Sequence, residues 1–357
     1  MDSDLIPGLP SDLGLDCLIR VPHTEFSSVA SVCRRWKREI QLPEFWRRRK
    51  ASGLTRRVVV MSQARVDPTR DLSARKFAAV PSYRLTLCEP ETGLWAELPP
   101  IPGCPDGLPM YCQLVAVGLS LVVMGGWDPD TWRASPAVHV YDFVRAAWRR
   151  GADMPGGERL FFACASDGAG TVLVAGGHDG EKCALRSALA YDVARDAWRA
   201  APDMAAERDE AKGVWRGGAF HVVGGYPTNA QGRFEASAES FDVAKWRWGP
   251  VLEDFLEPGA CPRDCVDGGD GRMVTCRGAE LVAWEGSAWR VVAELPCHVR
   301  STAYVAAWPG KVVVVGSERF GEPYNVFVFD MKRCKWERVE AEDGFKGHVQ
   351  SGCCIEL

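Results

Sequence analysis

The chain has 357 residues, 46% of them hydrophobic, with a net charge of −4 and a pI near 6.0. That length allows more than one hydrophobic core, and the acid balance argues against nucleic-acid binding by the chain as a whole. No run of 18 apolar residues could cross a bilayer, and the opening MDSDLIPGLP is acidic and proline-bearing, unlike a signal peptide. The fourteen cysteines include no CxxC and no four-ligand spacing with histidine. They read as reduced structural thiols of an intracellular protein, in the cytoplasm, the nucleus or both.

Residues 1–50 form a first unit outside the β pattern. In LPSDLGLDCLIRV, Ser11 or Asp12 is placed to cap a helix, and Leu15, Leu18 and Ile19 follow at helical spacing until Pro22. Phe26, Val29, Ala30, Cys33, Trp36 and Ile40 lie on one stripe, which predicts a second helix of about four turns. Pro43 opens a short third helix with Phe45 and Trp46. Three small helices make a weak core, and such a unit often needs a partner to cover its remaining apolar surface.

The segments LPSDLGLDCLIRVP, FSSVASVCRRWKREI and PEFW resemble the F-box motif in their Leu-Pro opening, Val-Cys-Arg-Arg-Trp centre and closing aromatic pair. The resemblance implies docking to a Skp-type adaptor and, through it, to a cullin ubiquitin ligase. Carried over, Leu9, Pro10, Leu15, Leu18, Val32, Cys33 and Trp36 would form or support the adaptor surface. The alternative is that they pack the helices together, and for Leu18 and Trp36 both can hold. Residues 34–57 carry ten Arg or Lys against two Glu, including RRRK at 47–50. A solvated helix face accounts for such a run, with nuclear import or an anionic surface as the alternative. No Gly/Ser linker follows, so this unit should abut the next one rigidly.

Residues 51–357 are organised by a repeat. LVVMGG at 121–126 is followed by VYD at 140–142 and Trp148; VLVAGG at 172–177 by AYD at 190–192 and Trp198; FHVVGG at 220–225 by SFD at 240–242 and Trp248. The glycine pairs begin at 125, 176 and 224, so they are 51 and 48 residues apart, and the aromatic-Asp pairs recur every 50. A period near fifty is that of kelch repeats, each making one four-stranded blade. The apolar runs are short and rich in β-formers, and the loop after the aromatic strand should place an indole between sheets. One blade cannot bury both faces alone, so a closed β-propeller is expected.

The flanking copies are degenerate. RRVVVMSQ and SYRLTLCEP, with Trp95, make blade one; MVTCRG and ELVAWEGSAW, with Trp284 and Trp289, make blade five; VVVVGS, VFVFD and Trp336 make blade six. The closing HVQSGCCIEL should supply the missing strand of blade one, which removes an open edge. Six blades are expected, after a small α-helical unit.

Arg159, Arg208, Arg263 and Arg300 each fall shortly before an innermost strand, which predicts guanidiniums gathered at one mouth of the channel. Such a ring suits an acidic or polar loop of a target protein; the alternative is that each braces its own loop. The loops after the glycine pairs add Trp127 and Trp132, His178 and Asp179, and Tyr226 and Arg233 as partner anchors, unless Trp127 and Tyr226 cover their own glycines.

GLPMYCQLVAVG, GGWDP, GADMPGGERLFFACASDG, AGGHDGEK, LRSALAYDVARDAW, ERDEAKGV and GGY…QGRFE…SAESFD closely resemble the plant kelch-repeat F-box proteins. That group implies a ligase substrate receptor whose target is phenylalanine ammonia-lyase or a type-B response regulator of cytokinin signalling; the alternative is a non-degradative kelch scaffold for protein interaction. The six histidines (His23, His139, His178, His221, His298 and His348) lie far apart, and no nucleophile elbow or phosphate-binding loop occurs. Neither catalysis nor a cofactor is expected.

Overall fold

The computed structural model describes residues 4–66, 81–104, 107–128, 131–319 and 321–357. Pro129 and Asp130, in the blade-two loop GGWDPDTWR, lie outside them. The helices are α1 (Ser11–Ile19), α2 (Phe26–Val32), α3 (Arg34–Glu39) and α4 (Pro43–Ala51). Pro10, not Ser11 or Asp12, occupies the N-cap of α1, and no side chain caps it. The expected four-turn second helix is broken at Cys33, which is extended (φ −160°, ψ 164°) between α2 and α3. Its Sγ accepts from the Trp36 amide at 3.4 Å, so the helix restarts on a local cap. An apolar stripe cannot distinguish a continuous helix from one that stops and restarts.

Leu15, Leu18, Ile19, Phe26, Val29, Ile40 and Phe45 form the helical core. Arg49 departs from the solvated face expected of RRRK. It is 2% exposed and donates to the carbonyls of Ile19 (2.5 Å), Val21 (2.7 Å) and Leu54 (3.0 Å). Its guanidinium lies over Phe26 and Trp46, and burial, with Arg56 nearby, lowers its pKa to about 10.

Six four-stranded antiparallel sheets follow. From the axis outward, blade one is Val349–Glu356, Arg57–Ala64, Tyr83–Glu89 and Leu94–Glu97, so the chain end supplies its innermost strand. Blades two to six begin with Gln113–Val117, Ala163–Ser166, Lys212–Arg216, Val266–Asp267 and Ser301–Trp308, and run outward in chain order. The innermost strands contact one another in a closed ring. One apolar cluster fills each gap between neighbouring blades.

Two repeat elements explain the closure. The Asp of each aromatic-Asp pair caps the next turn: Asp142 accepts from the amides of Val144 and Arg145, Asp192 from Arg195, Asp242 from Lys245, and Asp330 from Lys332 and Arg333. The Trp opens or follows closely on the start of the outermost strand, rather than lying in the loop before it, and its indole reaches back to the preceding blade. Trp148 donates to Pro99, Trp198 to Ala152, Trp248 to Pro202, Trp289 to Phe255, Trp336 to Glu294 and Trp95 to Glu340, at 2.6–2.9 Å.

The glycine pairs are needed for their backbone. In Gly176-Gly177 both φ values are positive, 66° and 80°. A Cβ on Gly177 would meet the Leu160 carbonyl at 2.2 Å, in the same blade, and one on Gly176 would meet Arg208, which leads into the next.

The helices pack against the propeller face opposite these loops. Leu119, in the hairpin after the first strand of blade two, and Val144, in its last turn, join the helical core. Lys50 and Arg57 pair with Glu356 at 2.9 and 2.6 Å, and Arg56 and Leu357 exchange backbone bonds.

Candidate functional site

Two faces are available, one on the helices and one on the propeller loops. On the helices, α1 turns Leu15 and Leu18 inward, 8% and 2% exposed, and leaves Pro10, Leu13 and Cys17 outside. Leu9 is half-buried. Trp36 is half-buried too and donates to the Leu5 carbonyl at 2.7 Å, which ties the start of the chain to α3. Val32 is 59% exposed and Cys33 is exposed. Of the residues carried over from the F-box motif, Leu15 and Leu18 therefore build the core, while Pro10, Val32 and Cys33 present surface. Leu13, 49% exposed, joins them. The motif did not single it out, although its place between Pro10 and Cys17 on the outer helix face was a readable signal.

The four arginines expected at the channel mouth do not gather there. Arg159 is buried and donates to the Gly176 carbonyl (2.6 Å), the Ser187 carbonyl and the Ser187 hydroxyl (2.7 Å). Arg208 repeats this with Gly224 and Ser237, and adds Glu239, whose carboxylate is as fully buried as the guanidinium, at 3.0 Å. Both are struts that tie the lead-in of a blade to its glycine loop, so the bracing alternative describes them. Burial lowers the Arg159 pKa to about 10. The partners were legible: Ser187 and Ser237 each stand five residues before the Asp (192 and 242) in the two copies that carry the buried arginine. Arg263 and Arg300 are exposed, and of the two only Arg263 lines the axial cavity.

Trp127, His178 and Tyr226 are equivalent positions. Each follows a glycine pair and bridges the backbone ahead of its blade's innermost strand, with Met110, Leu160 and Asp209 as partners. His178 and Tyr226 are 7% and 4% exposed, so they are not loop-tip anchors. His178 Nδ1 lies 2.9 Å from Asp209, and the Tyr226 hydroxyl donates to Glu210 at 2.8 Å, with burial and that carboxylate pushing the phenol pKa up. Asp179 shapes its own loop by accepting from the Glu181 and Cys183 amides. Trp132 is 59% exposed and Arg233 is exposed, at the loop tips.

Around the mouth, the sequence reading missed Tyr111, Phe161 and Glu210. They lead into blades two, three and four with left-handed φ of 60°, 50° and 51°. Non-glycine residues held there carry backbone strain. Each stands 14 or 15 residues before a glycine pair (111 to 125, 161 to 176, 210 to 224), which was the available signal. With Trp127 and Trp132 the two aromatics form a continuous shelf: Tyr111–Phe161 centroids are 4.9 Å apart, Trp127–Phe161 5.6 Å and Trp127–Trp132 6.4 Å. The shelf borders an axial cavity of about 120 Å³ lined by Tyr111, Phe161, Glu210, Lys212, Arg263 and Tyr304, among others. Among the described residues no group of three His, Cys, Asp or Glu is placed to hold a metal, and no helix is long and apolar enough to cross a membrane.

The chain matches the F-box domain over residues 6–48 and the kelch motif over 110–155 and 161–205, which are blades two and three. It is 46% identical over 361 aligned residues to the F-box/kelch-repeat protein At1g80440 of Arabidopsis thaliana, covering 99% of this chain and 100% of that one. To the F-box/kelch-repeat protein At1g15670 of the same plant it is 48% identical, with the same coverage. A solved structure titled "Structure of YjhT" superposes with a TM-score of 0.57 over 71% of this chain and 90% of that one, at 12% identity, a likeness of fold alone. With both family motifs and end-to-end similarity to two such relatives, the chain belongs to the F-box/kelch-repeat proteins.

Proposed function

We propose that this protein is the substrate receptor of a Skp–cullin–F-box ubiquitin ligase, acting in the cytoplasm or nucleus. Residues 1–50 bind the adaptor, and residues 51–357 hold a target protein for ubiquitination and degradation. The observation that carries this reading is the placement of the helices and the long loops on opposite propeller faces. A receptor needs two ends that do not compete, joined stiffly enough to present the target to the transfer machinery. Arg49, Glu356 and the packing of Leu119 and Val144 on the helical core supply the stiffness.

Adaptor contact falls to Pro10, Leu13, Val32 and Cys33, with Leu9 and Trp36 at the margin and Leu15 and Leu18 in support beneath. Target contact falls to Trp132, Trp127, Tyr111, Phe161, Arg233, Arg263 and Arg300. The target is phenylalanine ammonia-lyase or a type-B response regulator, a choice that rests on the resemblance of the loop sequences to the plant group.

The test is capture of a Skp adaptor and of each candidate target by the purified chain, with Leu13→Asp/Val32→Asp beside wild type. Wild type should capture the adaptor and one target, and the variant only the target. Full adaptor capture by the variant would remove these residues from the adaptor surface. Capture of neither protein by wild type would refute the receptor reading.

A further inference from the structure

The propeller axis carries two cations that the fold does not use. Lys212 opens the innermost strand of blade four, and Arg263 lies in the single 3-10 turn (Pro262–Asp264) that leads into blade five. Both line the axial cavity on the loop side, and Lys212 also lines the channel opening on the opposite side, which puts it at the waist. Arg159 and Arg208, the buried cations that serve the fold, are engaged by carbonyls and hydroxyls on several sides. Lys212 and Arg263 make neither an ion pair nor a side-chain hydrogen bond among the described residues. A half-buried ammonium with no hydrogen-bonded partner is costly, and burial lowers the Lys212 pKa although the Asp264 charge acts the other way.

Two carboxylates share this region with the cations, and neither is paired with them. Glu210 lines the cavity and accepts from the Tyr226 hydroxyl, and Asp264 acts on both cations through its charge without coming within ion-pair distance of either. Tyr304 adds a phenol that burial keeps neutral and able to donate. His348 lies beside the Tyr83 hydroxyl, and burial lowers its pKa, so it adds no charge at neutral pH. A cavity of about 120 Å³ has room for one tetrahedral or planar oxyanion.

We infer that the axial cavity is an oxyanion site, in which Lys212 and Arg263 hold a phosphate or carboxylate group on the propeller axis. A point charge and a planar fork converging on one small cavity suit that chemistry. The group comes either from a free small anion or from an acidic side chain that a bound protein inserts.

Isothermal titration of the full chain with inorganic phosphate, and separately with N-acetylglutamate amide, tests the site in a low-chloride buffer. One oxyanion should bind per chain, with affinity reduced about tenfold or more in Lys212→Met and in Arg263→Gln and retained in Lys212→Arg. Tighter phosphate binding makes the source a free anion, and tighter binding of the glutamate probe makes it a delivered side chain; either supports the site. No saturable binding of either probe, or undiminished affinity in a folded Lys212→Met, overturns it. A cooperative thermal melt certifies that each variant is folded. The titration needs neither adaptor nor target, so its failure is separable from failure of the receptor reading.

Discussion

Blades two to four and blades one, five and six close the same ring while keeping different parts of the repeat. The regular blades have a glycine pair, a long loop and, in blades three and four, a buried arginine strut. Blade five has a two-residue hairpin at Gly278 where the loop would be, and blade one has Glu89 where the capping Asp would be. All six keep the indole bond to the preceding blade. Ring closure thus depends on the contact between blades. The glycine pair serves the loops of one face, and closure of the ring does not require it.

The sharpest way to break this comparison is at the arginines. Arg208→Met leaves Glu239 buried without its cation and should cost about 3–5 kcal/mol, read by urea unfolding. Arg300→Met, at an exposed position before blade six, should stay within about 0.5 kcal/mol. Equal losses would mean that the lead-in arginines do the same work in both kinds of blade.

A second contrast is between glycines. Gly177→Ala combines a left-handed backbone with a Cβ driven onto the Leu160 carbonyl, and should destabilise by about 3 kcal/mol. Gly278→Ala has the same handedness but open space, and should lose about 1–2 kcal/mol. Thermal melts of the pair distinguish close approach from conformation alone.

The indole contact should be indifferent to blade type. Trp198→Phe and Trp289→Phe each remove one hydrogen bond to a carbonyl and should each lose about 1 kcal/mol. A negligible loss at Trp289 would show that the degenerate blades keep the geometry without its energy.

A pH-dependent effect lies ahead of blade five. Burial raises the Asp264 pKa to about 6 despite Lys212 and Arg263, against ~3.9 in an unfolded chain. The fold therefore favours the neutral carboxyl. That contribution to stability is full below about pH 4 and is lost as pH rises through 6. Asp264→Asn should flatten the stability profile between about pH 4 and 6, measured by thermal melts across that window. An unchanged slope would place the carboxyl in ordinary solvent.

The difference between legible and illegible residues follows from the range of the forces involved. The glycine pairs, the aromatic-Asp turns and the tryptophans recur with the period, so six blades and closure by the last strand could be read directly. The arginines recurred too, but recurrence is the same for a strut and for a binding ring. Only the Ser187 and Ser237 hydroxyls, brought close by sheet pairing, distinguish the two. Lys212 carries no motif at all and became visible through what surrounds it.

The sequence by itself determined the architecture, because blade period, turn capping and helix stripes are local patterns that each segment of the chain carries on its own. The tertiary structure alone decided which side chains face water. It broke the helix at Cys33, sank Arg49, Arg159, Arg208, His178 and Tyr226 into the fold, and left Leu13, Val32, Trp132 and Arg263 outside. Burial and hydrogen-bond satisfaction are set by neighbours distant in sequence, so a local pattern such as the place of Leu13 or the recurrence of Ser187 and Ser237 can hint at them without fixing them.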